Sequence, residues 1–590
     1  MASFFILDHS LDKVGSHHYD TVRLLAREAR CQGFEVIIGA NREIGRFDSK
    51  SLDAEVRPVF RKKVYSPYSQ LGALQEMMRV KNLPTEDESK TAIARMHRWL
   101  AVRRLRVQQI RHVREFAQDC QKIFHEQAMD TEDHALLMTA NELDFTGLAQ
   151  YLAANPNTVQ VHWHIAFHFG IYPGRPSSHG KQKSRIDQIR DVMQFALAPI
   201  PYHQFSFYTS TEELADQYNQ LGIAHFRMMP YPVDQTLAQG RALSATPDQI
   251  NFTVAGGLRR EKGKKELGNV INDLNELRKT GAKIKLRLQR PAPKIFKRKS
   301  IRFDIPPHDQ NQLIDFIDHP IAEDDYRRLI ETTHVGLLFY DSRAYYARRA
   351  GVMGEYLTRG CPVVVPAGCW LSNQLAEPTY RYIESLTESM KTGKATELAG
   401  LHHSLRNVPM AGGVLSFDHD QHPFELGGQV ILPSAALAVQ FEWHWPKQPG
   451  TYADLRFQAF DSDQTLLSDQ RQIVGHRPAG GSVYALFQLP AAAVNYKLTF
   501  RNAYEDSTAS VKQVRVTPVG KPGTSLPTSA VGVTFADISQ VKSAITEVIS
   551  HFAHYANTAR HFAKSWARYH DPKYCISFLV NDINRQRQAA

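Results

Sequence analysis

Cysteine is scarce in this chain. Five cysteines, Cys31, Cys120, Cys361, Cys369 and Cys575, are scattered through 590 residues. None forms a CxxC pair, so neither a disulfide framework nor a thiolate zinc site is expected, and the free thiols point to a reducing compartment. No run of eighteen apolar residues occurs, which argues against a membrane-crossing helix. The opening MASFFILDHS lacks a basic region and a small-residue cleavage site; it reads as a first strand rather than a signal peptide, and the cytoplasm is the expected location. Negative charge is also in deficit: 60 Asp and Glu face 71 Lys and Arg, a net charge of +11. That balance favours an acidic partner, such as nucleotide phosphates, an anionic glycan or an anionic membrane face. Nucleic acid is not expected, because no helix-turn-helix, zinc finger or RNP-like aromatic strand is present. A chain of this length should hold about three domains.

What is present concentrates in two segments. Tyr345–Pro366, YYARRAGVMGEYLTRGCPVVVP, reads as a loop, a short helix and a buried strand. Gly351 allows close approach of the backbone to a bound group. The amides after it open a helix, and a helix start attracts phosphate. Glu355 lies about one turn in, where a carboxylate can reach past phosphates to a sugar diol. Gly360 ends the helix, and Val363-Val364-Val365 is a β-branched run of the kind buried in parallel sheets. A nucleotide at the carboxyl edge of an open α/β sheet fits this layout; so does an ordinary helix–strand pair with an exposed glutamate.

The second segment, Asn251–Gly263, is NFTVAGGLRREKG. Phe252–Ala255 reads as a strand, Gly256-Gly257 as a tight turn and Glu261 onward as a helix. Arg259, Arg260, Lys262, Lys264 and Lys265 crowd the turn. Cations at a helix start oppose its dipole, so an anion bound there would account for them; a solvated basic face is the alternative.

In this order, about ninety residues apart, the two segments resemble the C-terminal half of family-4 retaining glycosyltransferases of the GT-B fold, of the bacterial group 1 type. Those proteins carry a "GRL…EKG" turn and a later "E…EA…G.PVV" signature. A variant with a later tryptophan resembles Tyr346, Arg349, Ala350, Gly351, Glu355 and Trp370. The resemblance implies an α/β fold of two Rossmann-like domains facing a cleft. Residues 1–235 would form the acceptor-side domain, with a basic helical insertion at about 80–128. Residues 236–405 and 530–590 would form the nucleotide-sugar domain, its last helices crossing back to the first. The implied activity is retaining transfer of a sugar from a nucleotide-diphosphate donor to a glycan, lipid-linked or other hydroxyl acceptor. Lys262, with Arg259 or Arg260, would neutralise the departing diphosphate. Arg349, Ala350, Gly351 and Val352 would bind the donor, and Glu355 would accept from the ribose hydroxyls. Gly15, in the glycine turn Val14–Tyr19 after the first strand, would face the donor. His164, after the strand Val159–Trp163, would contact the donor sugar, with His162 and His168 as near alternatives. No metal and no cofactor beyond the nucleotide-sugar co-substrate is implied. Two positions depart from the pattern. Gly257 stands where the family has arginine, and Ala347 where it has a carboxylate, with Asp341 nearby. These departures keep open a non-catalytic GT-B-like protein that binds a nucleotide or glycan as a scaffold.

Two further regions stand apart. Ser89–His125 is a long helical stretch carrying Arg95, Arg98, Arg103, Arg104, Arg106, Arg111 and Arg114 among Trp99, Leu100, Val107, Ile110, Val113 and Phe116. It reads either as a helix packed on its own domain or as a basic amphipathic helix able to lie peripherally on an anionic inner membrane face. From 410 to 525 the texture turns to short alternating strands, Leu437/Val439/Phe441/Trp443 among them, separated by turns. This predicts an all-β sandwich inserted late in the second α/β domain. After the linker Gly520–Ser529, helices are expected over Ile538–Phe552 and His554–Tyr569.

Overall fold

The computed structural model describes residues 2–14, 16–46, 52–66, 68, 71, 92–125, 127–171, 179–240, 244–257, 259–263, 266–289, 305–318, 321–341, 344–366, 369–375, 403–405, 414–418, 424–430, 434, 436–444, 453–474, 482–501, 508–519, 531–535 and 541–589. Two compact units emerge. The first comprises residues 1–172, 180–234 and 569–590; the second comprises 173–179 and 235–568.

The first unit is built on seven parallel strands: β1 (Ser3–Asp8), β2 (Glu35–Asn41), β3 (Glu55–Phe60), β4 (His134–Ala140), β5 (His162–Phe167), β6 (Gln204–Thr209) and β7 (Phe226–Met228). They lie in the order β3-β2-β1-β4-β5-β6-β7. Ile6 pairs with Ile38 on one side and Leu136 on the other. β1 and β4 are buried along their whole length, as parallel strands covered on both faces must be. The helix His17–Cys31 turns Val22, Leu25, Ala26 and Ala29 into the sheet, and Ser16 accepts a hydrogen bond from the Tyr19 amide at its start. The last helix, Pro572–Ala589, sends Cys575, Ile576 and Leu579 into this same core.

The second unit repeats the arrangement with β8 (Ile250–Val254), β9 (Ile284–Gln289), β10 (Ile314–Ile317), β11 (Val335–Leu337) and β12 (Val363–Pro366). Their order is β10-β9-β8-β11-β12, and a sixth parallel strand, Gly532–Phe535, pairs outside β12. Sequence reading passed over that last strand and expected the chain to return directly to helix. Four residues with a glycine among them carry little periodic signal. The glycine is required there, because a Cβ at Gly532 would collide with the Val363 carbonyl. The helices that follow, Val541–Ser550 and Phe552–Tyr569, lie where they were expected.

Between β12 and Gly532–Phe535 the chain forms two antiparallel sheets of five and four strands. Alternation decides which side chains meet. Leu437, Val439 and Phe441 on one sheet and Leu455, Phe457, Leu498 and Phe500 on the other are buried. Phe457 stacks on Phe487 at 4.9 Å and Phe441 meets Phe500 edge-on at 5.1 Å, closing the space between the sheets. The side chain of Trp443 and all of Trp445 lie outside the described residues. The chain is thus an α/β protein with two Rossmann-like parallel sheets and a separate antiparallel β region, the fold class expected from sequence.

Candidate functional site

In the second unit, β8 runs into Gly256, which adopts φ +86°. Its amide donates to the Gln289 side chain at the end of β9, at 2.7 Å. A short 3-10 turn, Arg260–Lys262, follows, and Gly263 closes it with φ +77°. A Cβ on Gly263 would collide with the carbonyl oxygen and Cβ of Phe339, which continues from β11. The helix therefore begins at Leu267 rather than at Glu261 as the sequence suggested, because the left-handed glycine stops the turn and presses it against the next strand. Lys262 consequently rides on the turn. Asp341 donates its amide to the Glu261 carbonyl at 2.9 Å and fixes the turn from the other side.

The helix Gly351–Arg359 starts beside this turn. A Cβ at Gly256 would stand 3.5 Å from Val352 Cγ2 and 3.7 Å from Lys262 Nζ. The glycine turn, the lysine amine and the helix start therefore occupy one place, although some ninety residues separate them in sequence. Ala350 is extended at the helix start and offers no side-chain cap, so the Gly351 and Val352 amides are not satisfied within the helix. Gly351 is exposed and nothing lies within 4 Å of where its Cβ would be. Beneath the helix, Tyr356 is buried, and its hydroxyl donates to the Thr253 carbonyl of β8 at 3.1 Å, tying helix to sheet.

Charge accumulates on one side of this place. Lys262 sits 5.1 Å from the Tyr340 ring centroid. Its pKa falls to about 8, because burial disfavours the ammonium and Arg259 and Arg348 repel it, against the opposite pull of Glu261 and Glu355. Arg259 and Arg260 are exposed. Arg349 lies over Trp370 at 6.0 Å and Arg348 over Tyr345 at 5.2 Å. Glu355 is half-buried, and its Oε2 accepts a hydrogen bond of 2.5 Å from the Tyr326 hydroxyl. Burial and that carboxylate together hold the phenol well above its ordinary range. Ala347 is buried and apolar. Asp341 Oδ1 lies 3.4 Å from the Ala344 amide within its own loop.

Lys262 thus comes together with Gly351, Val352 and Glu355, and Arg259, Arg260, Arg349 and Ala350 belong to the same turn and loop. Sequence reading missed Tyr326, Tyr340 and Gln289. Each acts through a side chain on a neighbouring element, and no local motif marks such a partner.

His164 has a different setting. The strand expected to end at Trp163 continues to Phe167, so His164 lies inside β5 rather than after it. It is fully buried, with Nε2 3.0 Å from His134 Nδ1 and Nδ1 3.2 Å from the Tyr208 hydroxyl. Burial, with His162, His134 and Arg227 nearby, keeps it neutral. This corrects the expected position after the strand: the ring belongs to an interior histidine–tyrosine chain. His162, buried as well, bonds Ser206 at 2.9 Å. His168 follows the strand and is half-buried. Gly15 lies outside the described residues. Nearby, at the carboxyl end of β1 where the strand order reverses, buried Asp8 accepts from His18 at 2.8 Å, and Asp144 bonds His112 at 2.6 Å.

The histidine chain has a measurable consequence. His134 is driven down to about 4 by burial and by His162. Its unfolded value is near 6.5. Both states are neutral above that value, and the stabilisation is then complete. As pH falls from about 6.5 towards 4 the unfolded state takes up the proton first, and roughly 3 kcal/mol is lost. Thermal unfolding followed against pH should show the first unit weakening across this window. His134→Gln, which does not titrate, should make that limb shallower, with buried His164, lowered in the same direction, keeping the remainder.

No family model matches the chain, and no curated protein matches it. Solved structures do. An α,α-trehalose 6-phosphate synthase from Burkholderia multivorans is 11% identical with a TM-score of 0.41, over 64% of this chain and 84% of that one. A glycosyltransferase from Rickettsia africae is 9% identical with a TM-score of 0.37, over 66% and 89%. WaaG, a glycosyltransferase involved in lipopolysaccharide biosynthesis, is 12% identical with a TM-score of 0.35, over 64% and 84%. These are proteins to which the chain is similar in backbone, and the functional reading rests on the site's own residues.

Proposed function

We propose that the second unit binds the diphosphate of a nucleotide-sugar and that the chain is a glycosyltransferase of the GT-B type, moving the sugar to a hydroxyl acceptor with retention at the anomeric carbon. The observation that carries this reading is the meeting of Lys262, the Gly256 turn and the start of the helix Gly351–Arg359. Two amides left unpaired within the helix stand at that helix start, and an ammonium lies beside it; a departing diphosphate needs that kind of fixed positive potential. Arg259, Arg260 and Arg349 extend the potential outward. Glu355, one turn along the helix, would accept from a ribose diol once the phosphates occupy the helix start. Tyr326 orients that carboxylate. The acceptor is a glycan, a lipid-linked sugar or another hydroxyl compound, and the lack of a thiol pair fits a cytoplasmic setting.

One feature favours a second reading. Ala347 leaves an apolar residue where the resemblance calls for a carboxylate near the donor sugar. A protein that holds a nucleotide-sugar without turning it over would share the rest of the site. Incubation with UDP-, GDP- and ADP-sugars separates the two. Slow release of sugar from one donor supports the transferase, and the anomeric configuration of a transferred product, read by NMR, settles retention. Binding without release or transfer selects the scaffold.

The depressed Lys262 pKa adds a prediction. The amine is charged below about pH 8 and loses its charge above it. Nucleoside diphosphate affinity should therefore weaken as pH rises through that value. Lys262→Arg, whose guanidinium stays charged, should remove the alkaline limb in a titration series.

A further inference from the structure

The helix Ala92–Ile123 packs one face and leaves the opposite one bare. Leu105, His112, Phe116 and Cys120 are buried, and the helix covers Phe60 and Gly147, whose Cβ would strike Phe116. At 100° per residue these positions cluster about one direction. Met96, Trp99, Val107 and Ile110 point the other way and are 53%, 57%, 56% and 62% exposed. Arg103 and Arg114 fall on the same stripe, and Arg106 and Arg111 flank it; all four are exposed, as is Arg104. The helix is thus apolar on both faces, so packing against its own unit accounts for only one of them. From Ala92 to Arg114 its sequence contains no Asp or Glu. The first acidic residues, Glu115 and Asp119, sit beyond the stripe and pair with Lys62 and Arg61. Arg104, Arg106 and Arg114 have no acidic partner among the described residues. Arg103 lies over the Trp99 ring at 5.4 Å, so its charge and the indole are presented together.

Exposed tryptophan and branched apolar side chains alternating with arginine over about 27 Å of helix match the boundary between lipid headgroups and acyl chains. An acidic protein would use the arginines but has no need of four bare apolar residues in line with them. We infer that the Met96–Arg114 stripe seats the first unit on an anionic lipid surface, with Trp99, Val107 and Ile110 entering the headgroup region and the arginines pairing with lipid phosphates. The surface belongs to the first unit alone and stands whether or not the second unit transfers sugar. Among the described residues no helix is long and apolar enough to cross a membrane, so the attachment is lateral.

The test is co-sedimentation of the full chain with phosphatidylcholine vesicles and with vesicles containing phosphatidylglycerol. Binding to the second kind alone, falling steeply with salt, is expected. Arg104→Gln and Arg114→Gln should each weaken partitioning about fivefold, from the contribution of one arginine near an anionic surface. Trp99→Ala with Ile110→Glu should abolish it. These side chains are exposed, so unchanged thermal unfolding will show that the variants fold. Binding that is unchanged in the variants, absence of binding to phosphatidylglycerol vesicles, or capture by poly-glutamate without capture by vesicles would each overturn the inference.

Discussion

On the proposed function, Lys262→Ala should lower donor turnover by about 100- to 1,000-fold, the usual loss when one fixed donor to a developing anion is removed. The size follows from where the amine sits. It is half-buried over Gly256 and Tyr340, in a position fixed by the Gly263 turn, and it has Arg259 and Arg348 close enough to depress its pKa. A cation held in that unfavourable field gains when a diphosphate arrives. The effect should therefore appear in nucleoside diphosphate affinity as well as in turnover. Glu355→Gln should act on a different part of the donor. If Glu355 accepts from the ribose as proposed, the change removes one charge-assisted hydrogen bond, worth about 2 kcal/mol, or roughly thirtyfold in affinity. Its effect should vanish with inorganic pyrophosphate as the ligand, whereas that of Lys262→Ala should persist. Competition titrations with the nucleotide and with pyrophosphate separate the two.

Gly263→Ala is expected to be strongly destabilising to the second unit. Two costs add. Alanine in the left-handed region costs about 1 kcal/mol. Its Cβ would also meet the Phe339 carbonyl, and because the obstacle is backbone, no rotamer change relieves it. About 3 kcal/mol of destabilisation follows, read as a fall of about 4 °C in the unfolding transition of a unit of this size. Donor affinity should fall with it, since the turn that carries Lys262 is displaced. Gly257→Ala supplies the contrast. Nothing lies within 4 Å of its Cβ position and its φ is not positive, so stability should be unchanged. If the two variants melt alike, the turn does not have the role assigned to it.

The parts of the molecule legible in sequence were those written in local pattern. The Val363–Val365 run, the alternation at Leu437, Val439 and Phe441, and Gly360 at the end of its helix each encode their structure within a few residues. The site was half legible for the same reason. Gly256, Lys262, Gly351 and Glu355 lie in two compact segments, and the structure brings Val352 and Lys262 to the same glycine. What escaped depended on distant contacts. Tyr326 reaches Glu355 from another helix, and Gln289 reaches Gly256 from another strand. His164 was misplaced because a strand boundary fell four residues short, and along a buried strand that error moves a side chain from the sheet edge to the core. The helix Ala92–Ile123 left two readings open for a different reason. Its two apolar faces blur the periodicity, and only the packing distinguishes the covered face from the bare one.

The most direct test of the account is calorimetric titration of the full chain with UDP, GDP and ADP, repeated on Lys262→Ala and Glu355→Gln. Binding of one nucleoside diphosphate by the wild type, weakened in both variants without change in their unfolding, is the predicted result. Failure of all three to bind the folded wild type, or equal binding by Lys262→Ala, would contradict it.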